Sequence, residues 1–399
     1  MRTGPPLEGI KVVDVATLGA GPWMATRLAD FGADVLKIEH PESGDPLREI
    51  GWYDGEVPLW WKVDARNKRC MTLDLKSDAG RDILLELIAD ADVLVENFRP
   101  GTLERWGLGY DVLSARNPRL ILLRVTGYGQ DGPYAHRPGF GTLAEAMSGW
   151  AHLNGFPENP PTLPPMALGD SVTSVLGAFA VMTALYERDA QGGGVGQVID
   201  ISIVESLFSL IGQQVTLYDR LGVIPKRVGN RFPFVTPRNV YRCSDDHYVA
   251  LAASTPAIYE RTMRAIGRPD LIEDARFADN LTRLDHADEM EQIVADWMIE
   301  HTQAEVIELF EREGAGIAPV YDIAQIVDDP HFAHREMIVT VDDDQLGPMK
   351  APNVVPRFSR TPGRIRHLGP KSGAHTDDVL RELGYDEERI AALHEEGVV

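Results

Sequence analysis

The sequence predicts an α/β protein with a parallel sheet in a large domain, followed by a smaller second domain. Strand-like apolar segments alternate with helical segments through the first half of the chain, and a glycine-rich turn follows the first strand. Repeats of strand, helix and strand imply a parallel sheet that is covered by helices on both faces. A chain of 399 residues, 44% of them hydrophobic, is long enough to bury a sizeable core without disulfides.

The large domain contains six segments of strand character. They lie at residues 10–15, 34–38, 71–75, 92–95, 119–125 and 197–202. Helical patterns lie between or after them, at residues 23–31, 77–89, 170–188 and 204–221. Gly32 fits the end of the first helix, because glycine is common just past a helix C-terminus.

The character of the sequence changes near Pro225. A loop rich in glycine, proline and phenylalanine occupies residues 227–238, and a short strand pair follows at 239–242 and 248–252. Helical patterns then continue to about Pro330. We interpret this stretch as the second, smaller domain.

Charge and cysteine content exclude several classes of function. The chain has 61 acidic and 39 basic residues, for a formal net charge of −22. Such a surface repels phosphate backbones and anionic lipid, so we expect neither a nucleic-acid nor a membrane partner. Cys70 and Cys243 are the only cysteines, which argues against a disulfide scaffold and a cysteine-rich zinc site. His331 and His334 lack a convincing third ligand, so no metal is predicted.

No segment predicts secretion or a membrane span. The N-terminus lacks the apolar stretch of a signal peptide. The longest notable uncharged run, Ser171–Tyr186, has 16 residues and contains serine and threonine. It is therefore too short and too polar to cross a bilayer. We expect a protein of a reducing compartment, located in the cytoplasm.

The glycine-rich turn is similar to a dinucleotide-binding fingerprint but does not complete it. Gly19 and Gly21 follow the first strand, and Glu39 ends the second. The third glycine of the fingerprint is replaced by Met24, whose side chain hinders close packing of helix on strand. The turn therefore disfavours NAD, although its N–H groups remain available to another anion or a reacting oxygen. The sequence also lacks a Gly-Lys-Ser/Thr phosphate loop and a Gly-x-Ser-x-Gly elbow.

Asp170 is the strongest candidate for chemistry. It follows Gly169 at the start of the long apolar helix. One interpretation is a helix N-cap, and the other is a carboxylate nucleophile that the helix dipole keeps ionised. Composition and spacing do not choose between them.

Several segments, in order along nearly the whole chain, resemble a known family. They are residues 6–14, 21–22, 28–39, 67–69, 72–76, 92–101, 127–133, 169–170 and 373–380. In these segments the chain is similar to the class III CoA-transferases of the CaiB/BaiF type, which include formyl-CoA transferase and carnitine CoA-transferase. The resemblance implies a Rossmann-like large domain formed by residues 1–225 together with 331–399, a small α+β domain at 226–330, and an interlocked homodimer.

The resemblance also implies the reaction. A CoA-transferase of this family moves CoA from an acyl-CoA thioester to a carboxylic acid, and the aspartate at the position of Asp170 is its nucleophile. The acyl group first forms an anhydride with this aspartate, and CoA then forms a thioester with it. Coenzyme A enters as the acyl-CoA substrate, and no tightly bound cofactor is expected.

Eleven further residues are implied as CoA contacts. They are Leu18, Gly19, Ala20, His40, Leu73, Lys76, Asn97, Phe98, Arg99, Arg105 and Phe140. The cations among them are suited to charge-assisted hydrogen bonds with the CoA phosphates.

The chain departs from the family pattern at several positions. Formyl-CoA transferase has glutamine where this chain has Gly19, and a glycine-run loop where this chain has residues 229–237. These departures favour a larger acyl group than formate or oxalate. Racemases of the same superfamily use a histidine at the position of Phe140. Because phenylalanine cannot move a proton, we do not expect racemisation of a 2-methylacyl-CoA.

Substrates and some alternative activities stay open. Three arginines are candidates for the acceptor carboxylate: Arg137, Arg231 and Arg238. Intramolecular CoA transfer or isomerisation on a dicarboxylyl-CoA remains possible, as does a CoA-ester binding protein without catalysis.

Overall fold

The computed structural model describes residues 4–399 and divides the chain into two compact units. The first unit contains the chain up to Trp150, Leu163–Asp219 and Ala333–Val399. The second contains Ala151–Thr162 and Arg220–Phe332.

The strands of the described residues are numbered in chain order. They are β1 (Lys11–Asp14), β2 (Asp34–Glu39), β3 (Tyr53–Asp54), β4 (Val57–Pro58), β5 (Lys68–Thr72), β6 (Val93–Glu96), β7 (Ile121–Thr126), β8 (Val198–Ser202), β9 (Arg238–Arg242), β10 (Tyr248–Ala252), β11 (Ile317–Pro319), β12 (Ile338–Asp343) and β13 (Gly347–Pro352).

The α-helices are numbered in the same way, and short 3₁₀ turns lie at Pro46–Glu49 and Pro269–Ile272. The α-helices are α1 (Ala20–Asp30), α2 (Leu59–Asp64), α3 (Asp78–Ile88), α4 (Thr102–Arg105), α5 (Tyr110–Arg116), α6 (Gly141–Met147), α7 (Trp150–Leu153), α8 (Leu168–Ala190), α9 (Ile203–Leu210), α10 (Gln213–Leu221), α11 (Pro256–Ala265), α12 (Asn280–Asp285), α13 (Ala287–Met298), α14 (Gln303–Glu313), α15 (Ile323–Asp328), α16 (Pro330–His334), α17 (Thr376–Glu382) and α18 (Glu387–Glu395).

The first unit is built on a six-stranded parallel sheet with the order β5-β2-β1-β6-β7-β8. The chain moves outward from β1 to β5, returns to β6 beside β1, and moves outward again to β8. The order therefore reverses between β1 and β6, and ligands of such sheets bind beyond the carboxyl ends of the strands at this point. The predicted α/β class with a parallel sheet is confirmed.

Helices cover both faces of this sheet. One core joins the sheet to α1 and α8, which pack closely through small residues such as Ala25, Ala29 and Ala184. The other core contains apolar residues of α3 and of the C-terminal helices α17 and α18. Each face thus buries its own apolar layer, as the near-continuous hydrophobic strands require.

Helix α8, Leu168–Ala190, extends slightly beyond the predicted range of 170–188 at both ends. Among residues 4–399 it is the one helix long and apolar enough to cross a membrane, with a mean hydropathy of 1.5 over its most apolar window. The core helix of a globular domain passes the same test. Gly177, Val181 and Leu185 are buried along it, so one side of the helix belongs to the core.

The third strand of the sheet does not lie where it was predicted. β5 begins at Lys68, three residues earlier than expected. Lys68 is buried, and its Nζ donates to Asp14 Oδ2 at 2.9 Å and to the carbonyl of Pro22 at 2.7 Å. The ion pair keeps this charged residue inside the sheet, whereas the sequence pattern placed it before the strand.

The second unit carries a three-stranded antiparallel sheet of order β11-β10-β9. β9 and β10 confirm the strand pair expected after the change in sequence character. The sheet packs on a core that includes Met263, Val294 and Phe310. The buried carboxylate of Glu291 accepts hydrogen bonds from Tyr241 Oη at 2.6 Å and from Arg238 N at 3.0 Å.

Candidate active site

The turn after β1 is held at the point where the strand order reverses. Asn97, just past β6, accepts from Thr17 N–H at 2.9 Å and donates to the carbonyl of Thr17 at 2.7 Å. Asp45 Oδ1 accepts from Leu18 N–H at 3.1 Å. Leu18 has a φ of +65°, a conformation that is strained for a leucine and occurs mainly at turns and functional sites.

Buried charges support this turn from below. Lys37 Nζ lies 2.9 Å from Asp45 Oδ2 and donates to the carbonyl of Ala16, and both charged side chains are almost fully buried. Burial alone lowers the pKa of Lys37, but the carboxylates of Asp14 and Asp45 outweigh it and hold this pKa above its usual value. Lys37 is therefore charged, and it fixes the backbone that leads into α1.

Asp170 lies in the first turn of α8. The N-cap of that helix is Ala167, so the N-cap interpretation of Asp170 is wrong. Asp170 Oδ1 instead accepts from the N–H of Ala20, the first residue of α1, at 3.3 Å. The N-termini of α1 and α8 thus meet at one carboxylate, and the positive ends of both helix dipoles favour its negative charge.

Two glycines make room for the Asp170 carboxylate. A Cβ on Gly141 would lie 2.4 Å from Asp170 Oδ2, and a Cβ on Gly19 would lie 2.9 Å from Oδ1. Either contact is far shorter than van der Waals distance. The backbone therefore closes around the carboxylate at two positions where a larger residue would displace it. The sequence prediction named Gly19 but missed Gly141.

The surroundings of Asp170 raise its pKa above the usual aspartate value. Burial is the largest cause, the Ala20 N–H acts in the opposite direction, and the charge of Glu145 raises the pKa further. Glu145 is buried on α6 and accepts from Gly169 N–H at 3.1 Å. A partly desolvated carboxylate is more nucleophilic than one surrounded by water, provided that it is ionised.

Asp170 opens into a cavity of about 420 Å³, here called the central cavity. Eight of the twelve predicted site residues line it: Leu18, Gly19, Ala20, Asn97, Phe98, Arg99, Phe140 and Asp170. Trp23, Trp60 and Thr142 also line it and were not predicted, because nothing in their local sequence distinguishes them from core residues. Arg137, an acceptor candidate, lies on its wall as well.

A second cavity of about 210 Å³ contains three more predicted residues, His40, Leu73 and Lys76, and shares Thr17 and Phe98 with the first. His40 Nδ1 accepts from Glu42 N–H at 3.2 Å, so the neutral ring carries its proton on Nε2.

Three predicted arginines lie elsewhere. Arg105 lines neither cavity, and its Nη2 donates to Thr102 Oγ1 at 2.7 Å. Arg231 and Arg238 belong to the second unit. Arg231 forms an ion pair with Asp288, and Arg238 donates to the carbonyl of Arg231 at 3.2 Å.

The structure gives no support for a dinucleotide site or for a metal centre. Glu39, the expected partner of a ribose, accepts from Arg48 Nε and Nη2 at 2.7 and 2.8 Å and from Asp45 N–H at 3.0 Å. Both of its oxygens are therefore occupied. Within residues 4–399, no group of three or more His, Cys, Asp or Glu side chains is placed to hold a metal ion.

This arrangement of carboxylate, helix ends and cavity is suited to nucleophilic chemistry at Asp170. Comparisons with known proteins show the family to which the chain belongs. The pattern of CoA-transferase family III matches residues 7–376. The chain is 44% identical over 399 residues to the succinyl-CoA–L-malate CoA-transferase beta subunit of Chloroflexus aurantiacus, covering 99% of this chain and 98% of the relative. It is 39% identical over 401 residues to the succinyl-CoA–D-citramalate CoA-transferase of the same organism, covering 100% and 99%.

A solved structure shares the fold. The crystal structure of a CaiB/BaiF family protein from Brucella suis superimposes with a TM-score of 0.84 at 31% identity, covering 95% of this chain and 100% of that one. The chain therefore belongs to CoA-transferase family III, and it is an enzyme that transfers CoA between an acyl-CoA and a carboxylate.

Proposed function

We propose that the protein exchanges CoA between succinyl-CoA and a second dicarboxylic acid, with Asp170 as the covalent carrier. The observation that carries the mechanism is the Asp170 carboxylate at the wall of the central cavity, between two helix N-termini. Relatives that are named for succinyl-CoA with malate or citramalate support this choice of substrates.

In the first half of the reaction, an oxygen of Asp170 attacks the thioester carbonyl carbon of succinyl-CoA. The carbon–sulfur bond breaks, the CoA thiolate leaves, and an anhydride joins Asp170 to the succinyl group. The thiolate then attacks Cγ of Asp170. The anhydride carbon–oxygen bond breaks, succinate leaves, and Asp170 holds CoA as a thioester.

In the second half, the acceptor carboxylate attacks Cγ of Asp170 and displaces the thiolate. A new anhydride then joins Asp170 to the acceptor. The thiolate attacks the acyl carbon of the acceptor, so the new acyl-CoA leaves and the Asp170 carboxylate is restored. Each step exchanges one anion for another, so none needs a proton or an ATP-derived phosphate. This balance agrees with a sequence that has no ATP-binding phosphate loop.

Backbone groups of the described site are placed to help these steps. The Ala20 N–H already points at Asp170 Oδ1, and the first N–H groups of a helix lack intrahelical acceptors. They are suited to stabilise the oxyanion that forms when either carbonyl is attacked, an interaction typically worth ~10²–10³ in rate. Bulky walls such as Trp23, Trp60 and Phe98 limit access of water to the anhydride.

Trapping of the intermediate tests the covalent step. Succinyl-CoA and hydroxylamine are added to the protein without an acceptor acid, and the peptide that contains Asp170 is analysed by mass spectrometry. An aspartyl hydroxamate at Asp170 supports the proposal. The Asp170→Asn variant should form no hydroxamate at this position. Modification of a different carboxylate with full turnover would overturn the assignment.

The same assay distinguishes exchange from intramolecular transfer. Exchange requires a free acid, so withholding both the acceptor and hydroxylamine should limit the conversion of succinyl-CoA to the one equivalent that turns Asp170 into its CoA thioester. Rearrangement of a dicarboxylyl-CoA in the absence of any free acid would instead favour the intramolecular reaction.

We also propose a homodimer, on the basis of an exposed apolar stripe along α8. Val175, Phe179 and Tyr186 are 52%, 70% and 62% exposed on one side of this helix. Patches of this kind usually mark contacts with another protein, and a second copy of the chain is the partner that the family resemblance implies. Light scattering that shows only monomer at assay concentrations would contradict this proposal.

A further inference from the structure

A third cavity, of about 280 Å³, adjoins the central cavity on the far side of two tryptophans. We call it the distal cavity. The two cavities share Trp23, Trp60 and Ala167, and Ser171, the neighbour of Asp170, lies on the wall of the distal one. The two cavities are therefore neighbours at the start of α8, where Asp170 lines one and Ser171 lines the other.

Arg27 brings to the distal cavity a guanidinium group that has no direct ion-pair partner in the described chain. Its Nε donates to Ser174 Oγ at 3.0 Å, and among residues 4–399 its two terminal nitrogens have no hydrogen-bond or ion-pair partner. Arg66 lies nearby and is already paired with Asp30 at 2.6 Å. Burial, together with the charge of Arg66, lowers the pKa of Arg27. A bound anion would offset both the burial of the Arg27 charge and its repulsion by Arg66.

Two residues that line this cavity each have one buried polar atom that lacks a partner in the described chain. They are Trp23 Nε1, which can only donate, and Asp64 Oδ2. Burial raises the pKa of Asp64 to about 6, against the opposing charges of Arg66 and Lys68. At neutral pH this carboxylate is ionised and therefore only accepts hydrogen bonds. Unpartnered buried polar groups are costly, which makes a ligand that satisfies all of them a good fit.

We propose that the distal cavity binds the far end of a hydroxydicarboxylic acid whose other carboxyl group exchanges CoA at Asp170. Arg27 and the Trp23 indole donate to the far carboxylate, and Asp64 accepts from the hydroxyl group. The proposal rests on the CoA-exchange function given above and adds the feature by which its substrates are selected. The chemical steps of CoA exchange at Asp170 stay as described above.

The test compares diacids with monoacids in the Arg27→Gln variant. The wild type is assayed first with succinyl-CoA and L-malate, and with butyryl-CoA and propionate. In Arg27→Gln, kcat/KM for the diacid pair should fall about 30- to 100-fold, as expected for loss of a charge-assisted pair. The rate with the monoacid pair should change less than about threefold, and Arg27→Lys should recover part of the diacid activity.

Binding of the free acid gives a readout that does not depend on turnover. L-Malate should quench or shift the tryptophan fluorescence of the wild type at Trp23 and Trp60, and Arg27→Gln should need a much higher concentration. Arg312→Gln is the matched control, because Arg312 is 65% exposed in the second unit and lines none of these cavities. Equal L-malate affinity in wild type and Arg27→Gln would overturn the proposal.

The Asp64→Asn variant tests the hydroxyl contact. With butyryl-CoA as donor, the wild type should prefer L-malate to succinate as acceptor. The variant should lower this ratio about three- to tenfold, because the ionised hydrogen-bond acceptor is lost. An unchanged ratio would contradict the hydroxyl contact. Failure of the proposed function is recognised separately: the wild type would then exchange CoA with neither the diacid nor the monoacid pair.

Discussion

Gly141 and the carboxylate of Asp170 are in such close contact that a Cβ on the glycine would lie 2.4 Å from Oδ2. The two residues belong to different helices, α6 and α8. The glycine therefore sets the position from which the carboxylate faces the central cavity.

The first prediction uses this contact. In Gly141→Ala the new methyl group should turn the Asp170 carboxylate aside, because a rotatable side chain yields more easily than two packed helices. A displacement of a reacting group by about 1 Å typically costs ~10²-fold in rate. We expect CoA exchange to fall by about that factor, while thermal unfolding changes little.

Gly212→Ala is the matched control, because its Cβ would meet only the carbonyl of Ser209, at 3.7 Å. It should keep full activity. Normal exchange in Gly141→Ala would show that the position of the Asp170 carboxylate does not limit the reaction.

The second prediction concerns the stability cost of the ionised carboxylate. Because burial and Glu145 raise the pKa of Asp170 in the folded state, the fold favours the protonated form. The contribution of the Asp170 carboxyl to the free energy of unfolding is present at low pH. It is lost as the pH rises through the pKa that Asp170 has in the folded protein. Asp170→Asn should therefore abolish exchange while its melting temperature at neutral pH equals or exceeds that of the wild type. The difference should shrink as the pH is lowered. A strongly lowered melting temperature would assign Asp170 a structural role.

The third prediction is the pH dependence of the reaction. In the proposed mechanism only the ionised Asp170 attacks the thioester, and the pKa of Asp170 lies above the usual value of 3.8. The acid limb of kcat/KM should therefore fall at a higher pH than an exposed aspartate would give. A stopped assay across acidic buffers measures this limb, with the new acyl-CoA formed on exchange as the readout. A rate that stays constant down to the usual aspartate range would exclude Asp170 as the titrating group.

The sequence predicted the elements that local patterns determine. Ser77 caps α3 by accepting from Gly80 N–H at 3.0 Å, and that helix lies where the pattern of Ser77 and its apolar residues placed it. β5 was misplaced because the partner of Lys68 is Asp14, which is 54 positions away. Sequence pattern alone does not show such a pair, so a lysine inside a buried strand was not expected.

The candidate site was predictable only in part, for the same reason. The hydrogen bond between Ala20 and Asp170 spans 150 positions, so the local sequence could not distinguish a cap from a nucleophile. The family resemblance implied a nucleophilic role for Asp170, which spacing left open. The distal cavity has no local signal at all, since Arg27, Trp60 and Asp64 come together only through the packing of α1 and α2 beside the start of α8.

The fourth prediction concerns the link between the two halves of the sheet. Asn97→Ala removes both hydrogen bonds to Thr17 and leaves a partly buried N–H and carbonyl without partners, which costs about 1–3 kcal/mol. Denaturant unfolding should show this loss. KM for the acyl-CoA should rise, because the turn carrying Leu18 loses one of its supports. Asn97→Asp keeps the acceptor and loses the donor, so its effects should be intermediate. Unfolding curves that coincide with the wild type would contradict the role of Asn97.

The fifth prediction tests whether the second cavity receives the phosphates of CoA. Lys76 lines this cavity, is an exposed residue and, among the described residues, forms no ion pair. Lys76→Ala should raise KM for succinyl-CoA roughly tenfold at low salt, which corresponds to about 1.4 kcal/mol, with kcat nearly unchanged because the contact is remote from Asp170. The effect should fade as salt is added and vanish with a succinyl-pantetheine thioester, which has no phosphates. Lys350→Ala, at an exposed position on β13, should leave KM unchanged. If Lys76→Ala raised KM equally for the CoA and pantetheine thioesters, the phosphates would have to lie outside this cavity.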